Sequence, residues 1–186
     1  MQIIRIFADD NSLLSVQYDG NDIDEFSRLY DEWTDIEYLE HFFTSNKEDL
    51  SRPAWAGVSI DEAIIRTRNE AIQSRKYLKK LAERSSGERI GLFTKFFKPL
   101  ENSQSIFGVL DKKKAYGVDY PSWLRMYALK IDDEMYLITG GAIKLTDRMD
   151  ERDHTRVELN KLERCKDFLF EQGIIDEKGV IELLEF

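Results

Sequence analysis

One cysteine, Cys165, stands among 186 residues, so no disulfide closes within this sequence and no cysteine-rich metal site forms. Histidine is almost as scarce. His41 and His154 are too few for a histidine-based zinc centre without carboxylate help, and neither a metal nor another cofactor is expected. No apolar run approaches the length of a bilayer span, so no membrane role is expected. The opening MQIIRIFADD has a short apolar run followed by two acids, unlike a secretory leader, and a cytoplasmic location follows by elimination. Phosphate-binding loops, dinucleotide fingerprints and nucleophile elbows are missing, which sets small-molecule enzymes aside. There is no internal repeat and no low-complexity tract.

What is present is a globular composition, 42% hydrophobic and 34% charged, at a length that suits one domain with a proper core. The net charge of −9 is unevenly spread. Residues 1–60 carry 4 basic and 13 acidic side chains, residues 61–120 carry 13 and 8, and residues 121–186 carry 10 and 15. A basic middle in an acidic chain fits either a local nucleic-acid surface or solvated helix faces.

The most structured stretch is Trp123 to Thr146, WLRMYALKIDDEMYLITGGAIKLT. Two β-rich runs flank Asp132-Asp133 and predict a tight antiparallel hairpin, with Gly140-Gly141 breaking the second run. On the first strand Trp123, Arg125, Tyr127, Leu129 and Ile131 share one face, and Leu124, Met126, Ala128 and Lys130 the other. Two mostly apolar faces mark a central strand covered on both sides. Arg125 is the exception, since a guanidinium there needs an anion or a site.

Upstream, Met1–Ala8 and Leu13–Tyr18 read as strands joined through Asp9, Asp10 and Asn11. A helix capped at Asn21 or Asp22 follows, with an aromatic stripe from Ile23 to Phe43 and an acidic outer face. Residues 44–58 form a connector. Ser59 and Glu62 make a capping box that opens a long helix to about Ser85. Its Arg68 and Arg75 are expected to face acids of the first helix, chiefly Asp31, Glu32 or Asp35. Ile90–Phe97 reads as extended, with a helix as the alternative for the short run GLFTKFF, Ser105–Leu110 reads as a strand, and Asp111–Pro121 as a loop. A last amphipathic helix runs through Val157, Leu162, Cys165 and Leu169 to a glycine stop at Gly173, and Val180–Leu184 reads as a final strand. The expected fold is α+β: an N-terminal strand or hairpin, two long antiparallel helices, an antiparallel three- to four-stranded sheet and a C-terminal helix. It forms a single domain over 1–186, with the hairpin and helical pair in 1–87 and the sheet and final helix in 88–186.

Lys98-Pro99-Leu100, then Trp123-Leu124-Arg125-Met126-Tyr127, the Asp132-Asp133 turn, and the run Leu137 to Thr146 together resemble the RelE/HigB toxin superfamily, in particular its phage-derived HigB-like branch. The similar span is about Lys95 to Gly173. The resemblance implies a RelE-like fold and the toxin of a toxin–antitoxin pair, a ribosome-dependent mRNA endonuclease whose partners are an antitoxin protein and the ribosome with its message. A non-enzymatic, degenerate interaction protein on the same scaffold is the alternative.

Cleavage of this kind uses the RNA 2′-hydroxyl against the adjacent phosphate and needs cations at the phosphorane and groups to move a proton. Arg125 is the candidate for phosphate stabilisation, because its fork suits a phosphate; partnership with a core carboxylate is the other reading. Lys144, Lys95 and Lys98 match basic positions of the family. His154 and Glu158 are the candidate proton-transfer groups, although His154 also reads as a surface residue, and Lys112, Lys113 and Lys114 are candidate RNA contacts. Tyr127 and Cys165 read as core. Three departures stand out. Leu145 replaces the second lysine of the family's K-K-T ending, no tyrosine follows Tyr136, and the chain is about twice the family's usual length and acidic where active members are basic.

Overall fold

The hairpin expected from the sequence lies at the middle of the sheet. The structure, a computed structural model, describes residues 1–7, 10–100, 110–117 and 121–185. Strand β5 (Leu124–Lys130) runs antiparallel to β6 (Tyr136–Ile143). Their turn is held by Asp132, whose Oδ1 accepts from the N–H groups of Glu134 and Met135 at 2.8 and 2.9 Å. Gly140-Gly141 does not break β6. The strand continues to Ile143, and only the register shifts: Ala128 pairs with Ile138 and Tyr127 with Gly140, leaving Thr139 as a bulged residue.

On one side of this pair lie β4 (Asp111–Tyr116) and the two-residue β3 (Lys98–Pro99), both antiparallel. On the other, β2 (Leu13–Gln17) joins β6 in parallel, and β1 (Gln2–Arg5) closes the edge. Among the described residues the sheet thus has six strands in the order β1-β2-β6-β5-β4-β3, not three or four, and it is mixed rather than antiparallel. Two features make the difference. The N-terminal hairpin adds its own strands to the sheet, and residues 111–116, expected as a loop because of their lysine run, form β4. The strand expected at Ser105–Leu110 lies outside the described residues except for Leu110, a buried turn residue.

The expected helix from 21 to 43 is two helices, α1 (Glu25–Thr34) and α2 (Ile36–Ser45). Asp35 parts them: its backbone is extended, and its side chain caps α2 by accepting from the Tyr38 N–H at 3.0 Å. Asp24, not Asn21 or Asp22, caps α1. The connector holds a single helical turn, α3 (Lys47–Leu50). Helix α4 (Ile60–Ala82) starts at the expected Ser59–Glu62 capping box and packs against α1 and α2. Residues 90–97 are helical, not extended: α5 (Ser86–Phe96) buries Phe93 and, just beyond its end, Phe97, whose ring stacks on Tyr136 at 4.7 Å. After a 3-10 turn at Met149–Glu151 comes α6 (Asp153–Glu171), stopped by Gly173 at φ +70°. The last segment is helical too, α7 (Glu177–Glu185). Among the described residues there are seven helices, and none is long and apolar enough to cross a membrane.

The fold is therefore mixed α+β, with helices on both faces of the sheet. Leu124, Met126, Ala128, Tyr136 and Ile138 pack with α1, α2, α4 and α5. Tyr127, Leu129, Ile131 and Leu137 pack with Leu162, Cys165 and Leu169 of α6 and Val180 of α7. The two-sided apolar pattern of β5 was the sequence signal for this arrangement.

The expected pairing of Arg68 and Arg75 with first-helix acids does not occur. Arg68 Nε donates to the Thr34 carbonyl at 3.0 Å, and the Arg75 guanidinium lies over the Phe26 and Tyr30 rings at 5.9 and 5.6 Å. Of the expected acids, Glu32 pairs with Arg28 and Asp35 caps α2.

Candidate nucleic-acid interface

Strand alternation builds the site. In β4, Lys112, Lys114 and Tyr116 point to one face of the sheet, directly across from Leu129, Tyr127 and Arg125 of β5, while Lys98 of β3 lies across from Lys114. This is the face that α6 covers farther along. The Arg125 guanidinium sits 4.1 Å from the centre of the Tyr116 ring, and its Nη1 donates to the Ser122 and Leu124 carbonyls at 2.7 Å each. The Lys114 ammonium is 5.8 Å from the same ring. Lys144 follows β6 and is tied to the start of β5 by its backbone N–H, which donates to the Trp123 carbonyl at 2.7 Å. Its amine donates to the Asp147 carbonyl. Burial pushes this amine below the usual lysine range, and the neighbouring Arg125 and Lys114 charges push it the same way. Like charges held together in this way lower the cost of bringing in an anion.

At the β3–β4 edge of the sheet Lys95 and Lys98 line a hollow of about 460 Å³ with Tyr77, Phe96, Tyr116 and Gly117. Tyr116 thus joins the hollow to the Arg125 group. Sequence reasoning missed it. The signal was the alternation Lys112-Lys114-Tyr116, hidden by reading the segment as a loop.

Other expected site residues lie elsewhere. Lys112 pairs with Glu163 of α6, and Lys113 faces the opposite side of the sheet, 3.4 Å from Asp111. His154 sits with Nε2 3.1 Å from the Ile143 carbonyl and its ring edge-on to Phe42 at 5.2 Å. A carbonyl only accepts, so this nitrogen carries the hydrogen and is engaged in holding α6 to the end of β6. Glu158 is buried in a separate ionic group. Its Oε2 accepts from the Gly141 N–H at 2.8 Å, and its Oε1 accepts from Lys161 at 2.9 Å and Arg28 at 3.3 Å. Burial raises its carboxyl above the usual glutamate range, against the opposite pull of Arg28 and Lys161.

The same two cations hold Glu25, another residue that sequence reasoning did not single out for a site. Its Oε2 accepts from Arg28 Nη2 at 2.6 Å and from Lys161 at 3.0 Å. The group has a backbone cause. β2 pairs with β6 only along residues 136–138, so beyond them the edge of β6 needs other partners. Glu158 takes the Gly141 N–H, and the Tyr18 hydroxyl donates to the Thr139 carbonyl at 2.9 Å.

The arrangement at Tyr116 can hold phosphates and offer a ring for stacking. No protein-family model, no curated protein and no solved structure matches the chain.

Proposed function

We propose that the chain is a toxin-like RNA-binding protein on a RelE/HigB-like scaffold, engaging messenger RNA through Lys98, Lys114, Arg125 and Lys144 around Tyr116. The observation that carries this reading is the gathering of Arg125 and Lys114 over one tyrosine ring, with Lys144 beside them. An arginine fork grips a phosphate in two-point fashion, lysines neutralise its neighbours, and an aromatic ring stacks an unpaired base. The antiparallel run β4–β5–β6 followed by α6 supports the RelE-like interpretation.

For cleavage, Arg125 is the group to stabilise the phosphorane. Lys144, with its lowered amine, is better placed than His154 or Glu158 to accept the 2′-hydroxyl proton. Structural duties for His154 and Glu158 favour the second reading, a non-cleaving interaction protein on the same scaffold. In that case the acidic face of α1 and α2, with exposed Ile36 and Tyr38, is the contact surface for a basic partner.

The test is overexpression with analysis of ribosome-bound transcripts. Growth inhibition and transcript cleavage are expected for the natural chain, and both should vanish in Arg125→Ala and Lys144→Met while the proteins stay folded. Inhibition that survives both substitutions would exclude this site. Binding to neither RNA nor ribosomes would select the second reading.

A further inference from the structure

A second cluster of cations lies in the helical layer on the other side of the sheet from Tyr116. Next to Ile6 and Phe7, which follow β1, helices α1 and α4 leave a hollow of about 660 Å³, within the range of small-molecule sites. Its walls are apolar. Phe7 meets Phe26 edge-on at 6.0 Å, Phe26 meets Tyr30 at 4.6 Å, and Ile72 stands 40% exposed. Its rim is basic, with Arg5 on one side and Arg75, Lys76 and Lys79 on the other. Ile72, Arg75, Lys76 and Lys79 recur at helical spacing and so form one strip of α4.

The polar groups inside are already satisfied. Asp24 accepts from the Ser27 N–H and hydroxyl, Thr34 donates to the Tyr30 carbonyl, and the Tyr30 hydroxyl pairs with Ser74. Among the described residues, Arg75, Lys76 and Lys79 enter no ion pair, and Arg75 spends its charge over the Phe26 and Tyr30 rings. A ligand that fits has a flat apolar body and a single strongly anionic end. Three cations lining one hollow favour a phosphate dianion over a lone carboxylate.

We propose that this hollow binds an aromatic monophosphate of mononucleotide size, its ring against Phe7, Phe26 and Ile72 and its phosphate among Arg75, Lys76 and Lys79. The site is separate from the RNA-binding face, and the two stand or fall independently.

Calorimetric titration of the full chain with adenosine 5′-monophosphate, adenosine and inorganic phosphate tests it. The monophosphate should bind, with adenosine and phosphate alone each at least about tenfold weaker. Arg75→Gln should weaken the monophosphate by about tenfold or more, the usual scale for losing a charged hydrogen bond, at an unchanged melting temperature. Lys178→Gln, on α7 and outside both sites, should leave this binding untouched. The double variant Lys76→Gln/Lys79→Gln carries the same test should Arg75→Gln melt early, and a loss of comparable size is expected. No heat with the monophosphate at millimolar concentration, phosphate alone binding equally well, or full affinity in the double variant would overturn the proposal.

Discussion

Glu158 shows how one residue can be chemically unusual for structural reasons. Its burial and raised carboxyl fit a general acid, yet its oxygens are taken by the Gly141 N–H, Lys161 and Arg28. The pH dependence of stability separates the two roles. A carboxyl whose folded value lies above its unfolded value binds its proton more tightly in the folded state. Its charged form therefore costs stability above the folded value, and that cost is relieved as pH falls toward the ordinary glutamate range. Asp133, Asp150 and Glu151 are shifted down and act in the opposite sense, losing stability on acidification. The difference between the natural chain and Glu158→Gln isolates the Glu158 contribution. The natural chain should gain on the variant as pH falls through that window. Glu158→Ala, which leaves the Gly141 N–H without its acceptor, should cost about 1–3 kcal/mol. Melting curves between pH 4 and 8 check both, and a natural chain that loses ground to Glu158→Gln on acidification would refute the assignment.

At the scale of elements, Gly140-Gly141 explains why β6 holds the centre of the fold. A Cβ on Gly140 would fall 2.0 Å from Glu158 Oε2, and its φ of +156° disfavours other residues. A Cβ on Gly141 would fall 2.5 Å from the Arg125 carbonyl and 2.8 Å from a Leu29 methyl. The strand thus passes between α1 and α6 only because it carries no side chain there. Gly141→Ala is expected to push β5 away from β6 and destabilise the protein by about 1–3 kcal/mol, read as a lower denaturant midpoint. An unchanged midpoint would mean that Leu29 and β5 yield freely.

The same pair shows what was legible in the sequence. Two glycines in a row read as a break, because turn chemistry is local, whereas the approach of Leu29 and Glu158 is not. The hairpin, the Ser59–Glu62 cap, the Gly173 stop and the two-sided burial of β5 were legible, since each rests on neighbours in sequence. The helical state of 86–96 was open only as an alternative for GLFTKFF, because Phe93 and Phe97 are set by packing on Tyr136, far away in the chain. Of the candidate site, Arg125, Lys114, Lys98 and Lys144 were legible as cations. Tyr116, which joins them, was hidden with its strand, and the structural duties of His154 and Glu158 depend on tertiary partners.

At the scale of the whole molecule, the cationic face belongs to a chain of net charge −9, with 13 acidic side chains in residues 1–60. Under the proposed RNA-binding role, the surrounding negative potential would confine contact to the few phosphates that Lys98, Lys114, Arg125 and Lys144 can neutralise. Affinity for single-stranded RNA should therefore depend only modestly on salt. The most direct test is a salt series of binding to a short single-stranded RNA, for the natural chain and for Lys114→Gln. With four cations engaged, the plot of log affinity against log salt should slope by about −3, and the substitution should make it shallower by about 0.7. An absence of binding at low salt, or a slope that Lys114→Gln leaves unchanged, would contradict the assignment of this face.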